Sequence, residues 1–113
     1  MNLFASIRKG VQAIRDTLAY HKAMSQYAKT HTTCECCGAP RMLLRIRLEV
    51  HHKTPVHVAP DRATDPENMI LLCSSCHFIV GHCGNWRSWN QAVVETAKMV
   101  RKAIVDYSQR VLK

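Results

Sequence analysis

The sequence is organised around two short cysteine motifs, Cys34-Glu35-Cys36-Cys37-Gly38 and Cys73-Ser74-Ser75-Cys76-His77. Two residues between thiols allow a tight turn to aim both sulfurs at one point, and a following glycine suits the left-handed backbone that such a turn often needs. Two pairs of this kind supply the four ligands that Zn²⁺ binds at about 2.3 Å in a tetrahedron. The motifs therefore predict one structural zinc site, formed by Cys34, Cys37, Cys73 and Cys76.

Two further thiols, Cys36 and Cys83, leave alternatives open. Cys36 competes for the first turn, although the spacing and the glycine favour Cys34 with Cys37. Because the number of cysteines is even, all six could instead pair in a disulfide framework. We favour zinc because the first ten residues are too interrupted by charge to form a signal peptide, and thiols stay reduced in the cytosol.

Length and composition predict a single small domain. With 113 residues the chain can form only a modest core, and a structural zinc would add binding energy on the order of 10–16 kcal/mol. There is no run of eighteen apolar residues, so no membrane span is expected. We expect a soluble protein of the cytoplasm.

The net charge of +8 is concentrated at the two ends of the sequence. Residues 1–33 carry five Lys or Arg against one acid, and residues 88–113 carry five against two. Residues 34–87 carry six against five, which is close to balance. Basic flanks are compatible with two solvated helices, but together with the central motifs they favour a polyanionic partner such as DNA.

Both flanks have the periodicity of amphipathic helices. The predicted organisation is a basic N-terminal helix over 1–30, a central module over 31–87 and a basic C-terminal helix over 88–113, all in one compact domain. Ser88 and Gln91 have the spacing of a capping box, which predicts that the last helix begins near Trp89. The N-terminal stripe contains Leu3, Ile7, Val11, Ile14 and Leu18, and the C-terminal stripe contains Val93, Ala97, Val100, Ile104 and Val111.

The central module has a mixed pattern that predicts an α+β fold. Residues 43–50 alternate loosely and predict a half-buried strand that ends at His51 and His52. Prolines and aspartates then predict a long loop, and the apolar run 69–72 predicts a second strand. Residues 74–80 are compatible with a short helix that Gly81 ends.

The string Leu48-Glu-Val-His-His52, followed by Asn68-Met-Ile-Leu-Leu-Cys73 and Cys76-His77, resembles the HNH endonucleases, also called His-Me finger or ββα-metal nucleases. The resemblance covers about residues 34–83 and implies a ββα hairpin inserted between two zinc-binding turns. The segment 81–90 also resembles the tail of small HNH proteins from phages and prophages. The implied activity is metal-dependent hydrolysis of DNA.

The resemblance implies a role for each residue of the motif. His52 would be the general base, since a neutral imidazole can take the proton of water at physiological pH. His51 and His77 would bind a catalytic divalent ion, which could be Mn²⁺, Ni²⁺, Mg²⁺ or Zn²⁺. Asn68 would complete the catalytic set, chiefly as the anchor of the loop.

Two points of geometry stay open at this stage. Neighbouring residues on a flat strand point to opposite faces, which would separate His51 from His52 unless the strand twists or ends there. His82 lies five residues after His77, which is about 140° around a regular helix. It would become a third ligand only if the chain folds back after Gly81; otherwise it is a surface or DNA-contacting residue.

The combined interpretation is an HNH DNA endonuclease that nicks as a single chain, with DNA as its partner. Small phage members of the family are often linked to genome packaging beside a terminase, so a packaging partner is an expectation of the resemblance. The alternatives are a non-catalytic zinc module that binds DNA, or a protein that acts on a cellular nuclease. Oligomeric state stays open. Candidate DNA contacts are Arg45, Arg47, Arg62 and Arg87.

Overall fold

The computed structural model describes residues 2–41 and 46–112, and the fold is α+β as predicted. No helix in these ranges is both long enough and apolar enough to cross a membrane. The main elements are α1 (Leu3–Arg15), α2 (Leu18–Thr30), β1 (Leu48–His52), β2 (Met69–Cys73), α3 (Ser74–Cys76), a π-helical turn (His77–Gly81) and α4 (Val93–Val111).

The two strands form an antiparallel hairpin at the centre of the fold. His51 pairs with Ile70 and His52 with Met69, so both histidines lie at the loop end of the pair. The predicted second strand is confirmed, and its residues 69–72 are buried. The first strand begins at Leu48, later than predicted, and residues 43–45 of the predicted strand lie outside the described residues.

The single N-terminal helix predicted over 1–30 is instead two helices. The break occurs at Asp16 and Thr17, where Thr17 adopts an extended backbone and its hydroxyl accepts a hydrogen bond from the amide of Tyr20 at 3.2 Å. A threonine in this position is a helix N-cap, so it begins α2 rather than continuing α1. The apolar stripe runs across the break, which is why its periodicity did not reveal the turn.

The C-terminal helix begins at Val93 and not near Trp89, so the predicted capping box is wrong. The Ser88 hydroxyl donates to the carbonyls of His82 and Asn85, at 2.6 and 3.0 Å, instead of capping a helix. Ser88 therefore stabilises the loop that follows the π-helical turn. Val93 and Ala97 at the start of α4 are buried in the core.

The first cysteine turn is attached to the hairpin by Glu35. Its amide donates to the carbonyl of Leu71 at 2.8 Å, and its carboxylate accepts from the amide of Leu71 at 2.6 Å and from the hydroxyl of Tyr27 at 2.7 Å. Glu35 thus satisfies backbone groups on the outer edge of β2, which would otherwise remain unpaired. The same carboxylate links α2 to the sheet.

Four cysteines converge at the other end of the hairpin. The sulfurs of Cys34, Cys37, Cys73 and Cys76 all lie within 4.8 Å of one another, so the cluster could form a zinc site. In each turn the fourth residue donates its amide hydrogen to the first sulfur, with Cys37 to Cys34 at 3.4 Å and Cys76 to Cys73 at 3.5 Å. All six cysteines are free thiols, which leaves no disulfide framework.

The environment of Cys34 favours its thiolate. Burial raises the pKa of this thiol, but hydrogen bonds from the backbone of Cys73, Cys37 and Cys36 outweigh burial and bring the pKa to about 7. Thiolates are the form that binds metal. Cys36 lies outside the cluster and is fully buried in the core beside Ile70 and Leu72, which explains its presence in the motif as a packing residue.

We expect Gly38→Ala to lower the free energy of unfolding by about 1–2 kcal/mol, because Gly38 has φ +80° and a side chain there is strained. An added Cβ would also collide with the guanidinium of Arg101, which donates to the carbonyl of Cys37 at 3.0 Å. Urea unfolding measures the change.

Gly10→Ala is the matched control for that substitution. Gly10 lies inside α1 with nothing within 4 Å of an added Cβ, so alanine should raise stability by about 0.5–1 kcal/mol through helix propensity. Equal stability of the Gly38→Ala protein and the control would show that the first cysteine turn does not depend on its glycine.

Candidate metal centre and active site

Three histidines form a compact cluster beside the hairpin. His51 lies on β1, His77 begins the π-helical turn and His82 follows that turn directly. One nitrogen from each ring lies within 4.8 Å of the others, and the ring centroids are 4.9–5.0 Å apart. The cluster brings together the two predicted ligands and the histidine whose position was left open.

The π-helical turn is the reason that His82 joins the cluster. The amide of His82 donates to the carbonyl of His77 at 3.0 Å, and this bond between residues five apart widens the turn. His82 is thereby directed back toward His77 and not about 140° away, as in a regular helix. Gly81 leaves room for this arrangement, since an added Cβ would lie 3.2 Å from the ring of His51.

Hydrogen bonds outside the cluster determine the tautomers of His77 and His82. Nδ1 of His77 lies 3.2 Å from the carboxylate of Glu49, and Nδ1 of His82 lies 2.8 Å from the carbonyl of Ser88. Both partners are acceptors, so in each neutral ring Nδ1 carries the hydrogen and Nε2 carries a lone pair. Such outer partners are typical of metal-binding histidines.

The two lone pairs face each other, because the Nε2 atoms of His77 and His82 are 3.2 Å apart. Without a cation between them this contact is unfavourable. Two imidazole nitrogens that bind one metal at about 2.1 Å with tetrahedral angles lie about 3.4 Å apart. The observed separation therefore fits a shared divalent ion.

His51 supplies a second observation that fits a metal ion. The residue is 3% exposed, and its Nε2 is buried without a hydrogen-bond partner among the described residues. Burial, together with the charges of His77, His82 and His52, lowers the pKa of His51 to about 3, so the ring is neutral. An unsatisfied buried polar atom costs about 1–3 kcal/mol, and a bound cation would remove that cost.

His52 is held apart from the cluster by different contacts. Its Nε2 lies 2.8 Å from the carbonyl of Ala63, and its ring stacks on that of Tyr20 at 5.7 Å with an interplanar angle of 11°. Because a carbonyl accepts, the neutral ring carries its hydrogen on Nε2, which leaves the lone pair on Nδ1. Burial and the charge of Arg15 lower the pKa of His52, although the bond to Ala63 opposes them.

Asn68 anchors the loop between the strands. Its side chain is fully buried; Oδ1 accepts from the amide of Thr54 at 2.9 Å, and Nδ2 donates to the carbonyls of Thr54 and Arg62 at 3.0 and 3.2 Å. These bonds join the beginning of the loop to the segment that contains Ala63. Asn68 thereby supports the segment whose carbonyl orients His52. None of these three bonds reaches the three-histidine cluster.

His51, His52, His77 and His82 line one cavity of about 340 Å³ at the loop end of β1, together with His57 of the following loop. His51 and His52 both reach it, although neighbouring residues of a flat strand point to opposite faces. This is possible because β1 ends at His52. Glu49 was not predicted as a site residue, although its position two residues before His51 places both on one face of β1. Eight further side chains that line the cavity were not predicted as site residues either: Val11, Arg15, Tyr20, Val50, Pro55, Val56, His57 and Trp86.

Three of the four predicted DNA-contacting arginines, Arg47, Arg62 and Arg87, do not line this cavity. Arg47 is exposed and lies 3.6 Å from Glu49, while Arg62 lies 3.6 Å from Asp65. Arg87 is exposed in the loop beside Trp86. Arg45 lies outside the described residues. Trp86 packs against His77 and His82, with ring centroids 5.2 and 4.9 Å away.

Comparison with known protein families agrees with this geometry. The sequence model of the HNH endonuclease family matches residues 34–82, a segment that begins at the first cysteine of the four-cysteine cluster and ends at the last residue of the three-histidine cluster. Comparisons with curated proteins and with solved structures gave no significant match. The similarity to the HNH endonuclease family therefore lies in residues 34–82 of the chain.

Proposed function

We propose that this protein is a metal-dependent DNA endonuclease that hydrolyses phosphodiester bonds. The HNH domain supports a nuclease-type function and implies DNA as the substrate. The observation that carries the proposal is that one cavity is lined both by a cluster of three histidines and by His52, whose Nδ1 carries the lone pair. The net charge of +8 suits a DNA substrate.

In the proposed reaction His52 is the general base. Its Nδ1 accepts a proton from the attacking water, while Nε2 remains bonded to the carbonyl of Ala63. That bond becomes stronger when the ring gains positive charge, so Ala63 stabilises the protonated base. The lowered pKa of His52 keeps the ring neutral before reaction, and general base catalysis typically contributes 10²–10⁴-fold.

His51, His77 and His82 would hold the catalytic ion. An ion held there would supply positive charge that stabilises the negative charge developing on the phosphate during hydrolysis. Three imidazoles favour Mn²⁺, Ni²⁺ or Zn²⁺ over Mg²⁺, which prefers oxygen ligands. Glu49 and Ser88 keep the rings of His77 and His82 in the tautomer that ligation requires.

The four-cysteine cluster would hold a structural Zn²⁺. Four thiolates complete a tetrahedral shell and leave no position for water, which is typical of structural zinc sites. The site connects the first cysteine turn to the end of β2, and it would therefore fix the position of His77, the residue after Cys76. One proposed catalytic site would cut one strand, so cleavage of both strands would need a second chain.

A role in phage genome packaging remains part of the proposal through the resemblance of the segment 81–90 to small phage HNH proteins. In that setting the chain would act on DNA beside a terminase. Co-purification with a terminase subunit from infected cells would test the association separately from cleavage.

We expect His52→Ala and His77→Ala each to lose at least about 100-fold of plasmid nicking with Mn²⁺ or Ni²⁺, since one removes the base and the other a ligand. Metal titration separates the two roles, because His52→Ala should still bind the ion and His77→Ala should not. His21→Ala, an exposed histidine of α2, is the control. Undiminished cleavage by His52→Ala would remove that residue from the base role.

Intact plasmid with every ion supplied would instead favour the non-catalytic alternative. Retained DNA affinity that falls steeply with salt would then identify a binding module.

We expect Glu49→Gln to weaken divalent-ion binding by about 10-fold or more, because the charged acceptor of the His77 Nδ1 hydrogen is lost. Calorimetric titration with Ni²⁺ measures the change. Glu67→Gln is the control, since Glu67 is an exposed residue of the loop. Equal affinities for the two variants would show that Glu49 does not orient His77.

We expect Cys73→Ser to lose the structural zinc and to unfold or aggregate, because the remaining three thiolates cannot close the site. Elemental analysis for zinc and circular dichroism measure the two effects. Cys83→Ser is the matched control, since Cys83 is an exposed thiol outside the cluster. Full zinc content in the Cys73→Ser protein would contradict the proposed ligand set.

A further inference from the structure

One wall of the cavity comes from outside the matched HNH segment. The helical hairpin of α1 and α2 contributes Val11, Arg15 and Tyr20, all of which precede residue 34. Nothing in the HNH motif assigns a role to these residues. Tyr20 contacts the proposed base His52, and Arg15 lines the same cavity.

Tyr20 contacts both His52 and the loop residues that pack beside it. Its ring stacks on the imidazole of His52, and it shares a buried cluster with Val56 and with Ala63, whose carbonyl binds His52. Tyr20 itself is only 9% exposed. The Thr17 cap holds the first turn of α2, and hence Tyr20, in place.

Arg15 is the one Lys or Arg side chain lining the cavity among the described residues. It is exposed at the end of α1 and forms no ion pair within the described part of the chain. The neighbouring acid Asp16 accepts a hydrogen bond from Gln12 at 2.8 Å. An unpaired guanidinium beside a hydrolytic cavity is suited to bind a phosphate.

We propose that the α1–α2 hairpin completes the catalytic cavity, with Arg15 binding a DNA phosphate beside His52 and Tyr20 acting as a positioning residue for His52. This inference rests on the proposed function. It places the substrate-binding charge of the site in the basic N-terminal flank and not in the HNH segment. The arginines predicted from sequence near the hairpin would then serve other parts of the surface.

The first test compares Arg15→Gln with Arg8→Gln. Both substitutions remove one positive charge from α1, but Arg8 does not line the cavity. We expect Arg15→Gln to lower kcat/KM for nicking by about 10–100-fold, the worth of a hydrogen bond to a charged group, and Arg8→Gln to change it about twofold at most. Equal losses would show that Arg15 contributes only to general charge.

The second test addresses Tyr20 through three variants. Tyr20→Phe keeps the stacked ring and should retain wild-type kcat, while Tyr20→Leu keeps apolar volume without the ring plane and should lower kcat about 10-fold with little change in KM. Tyr20→Ala extends the series where it folds. A Tyr20→Leu protein with wild-type kcat, or a Tyr20→Phe protein as slow as Tyr20→Leu, would refute positioning by the ring.

A binding measurement separates this inference from the proposed function. Fluorescence anisotropy with a labelled DNA duplex, without added divalent ion, does not require cleavage. If the wild-type protein fails to nick DNA with any ion, the proposed function is refuted, and weaker binding by Arg15→Gln than by Arg8→Gln still supports the phosphate contact. Equal binding by the two variants refutes that contact whether or not the protein cleaves.

Discussion

The fold depends on the convergence of two cysteine turns at one end of a two-stranded hairpin. Cys73 is at once the last residue of β2 and the first member of the second turn, so the cluster fixes where the strand ends and where α3 begins. His77 follows Cys76 directly, which ties its position to the same cluster. A hairpin of two strands is marginal by itself, and the cluster together with α2 and α4 supplies the packing that it lacks.

The hydrogen-bond partners of His52, His77 and His82 determine which ring nitrogen of each carries the lone pair that faces the cavity. Glu49 and Ser88 accept from Nδ1 of His77 and His82, which directs two Nε2 lone pairs into the cluster. Ala63 accepts from Nε2 of His52, which leaves the opposite nitrogen free. Three imidazoles of the same chemistry thus present different atoms to one cavity. This difference supports separate roles in the proposed reaction.

Local spacing predicted the cysteine set and the second strand, but it did not predict the features that tertiary contacts decide. The five-residue interval from His77 to His82 contradicts a regular helix, and no sequence rule indicated a π-helical turn. The hydroxyl of Ser88 had the spacing of a cap, yet it bonds to carbonyls of the loop after that turn. Thr17 begins a new helix inside an uninterrupted apolar stripe. Each error arose where one local pattern fitted two backbone conformations.

The family segment and its flanks contribute different physical properties to the cavity. Residues 34–82 contain the histidines and the loop anchor, whose spacing is recognisable in sequence. The ring that stacks on His52 and the arginine that lines the cavity come from α2 and α1, and their contribution depends on how the two helices pack. In the proposed enzyme, the chemistry therefore belongs to the motif. In the same proposal, phosphate binding and the burial of the base depend on the helical hairpin of α1 and α2, which lies outside the matched segment.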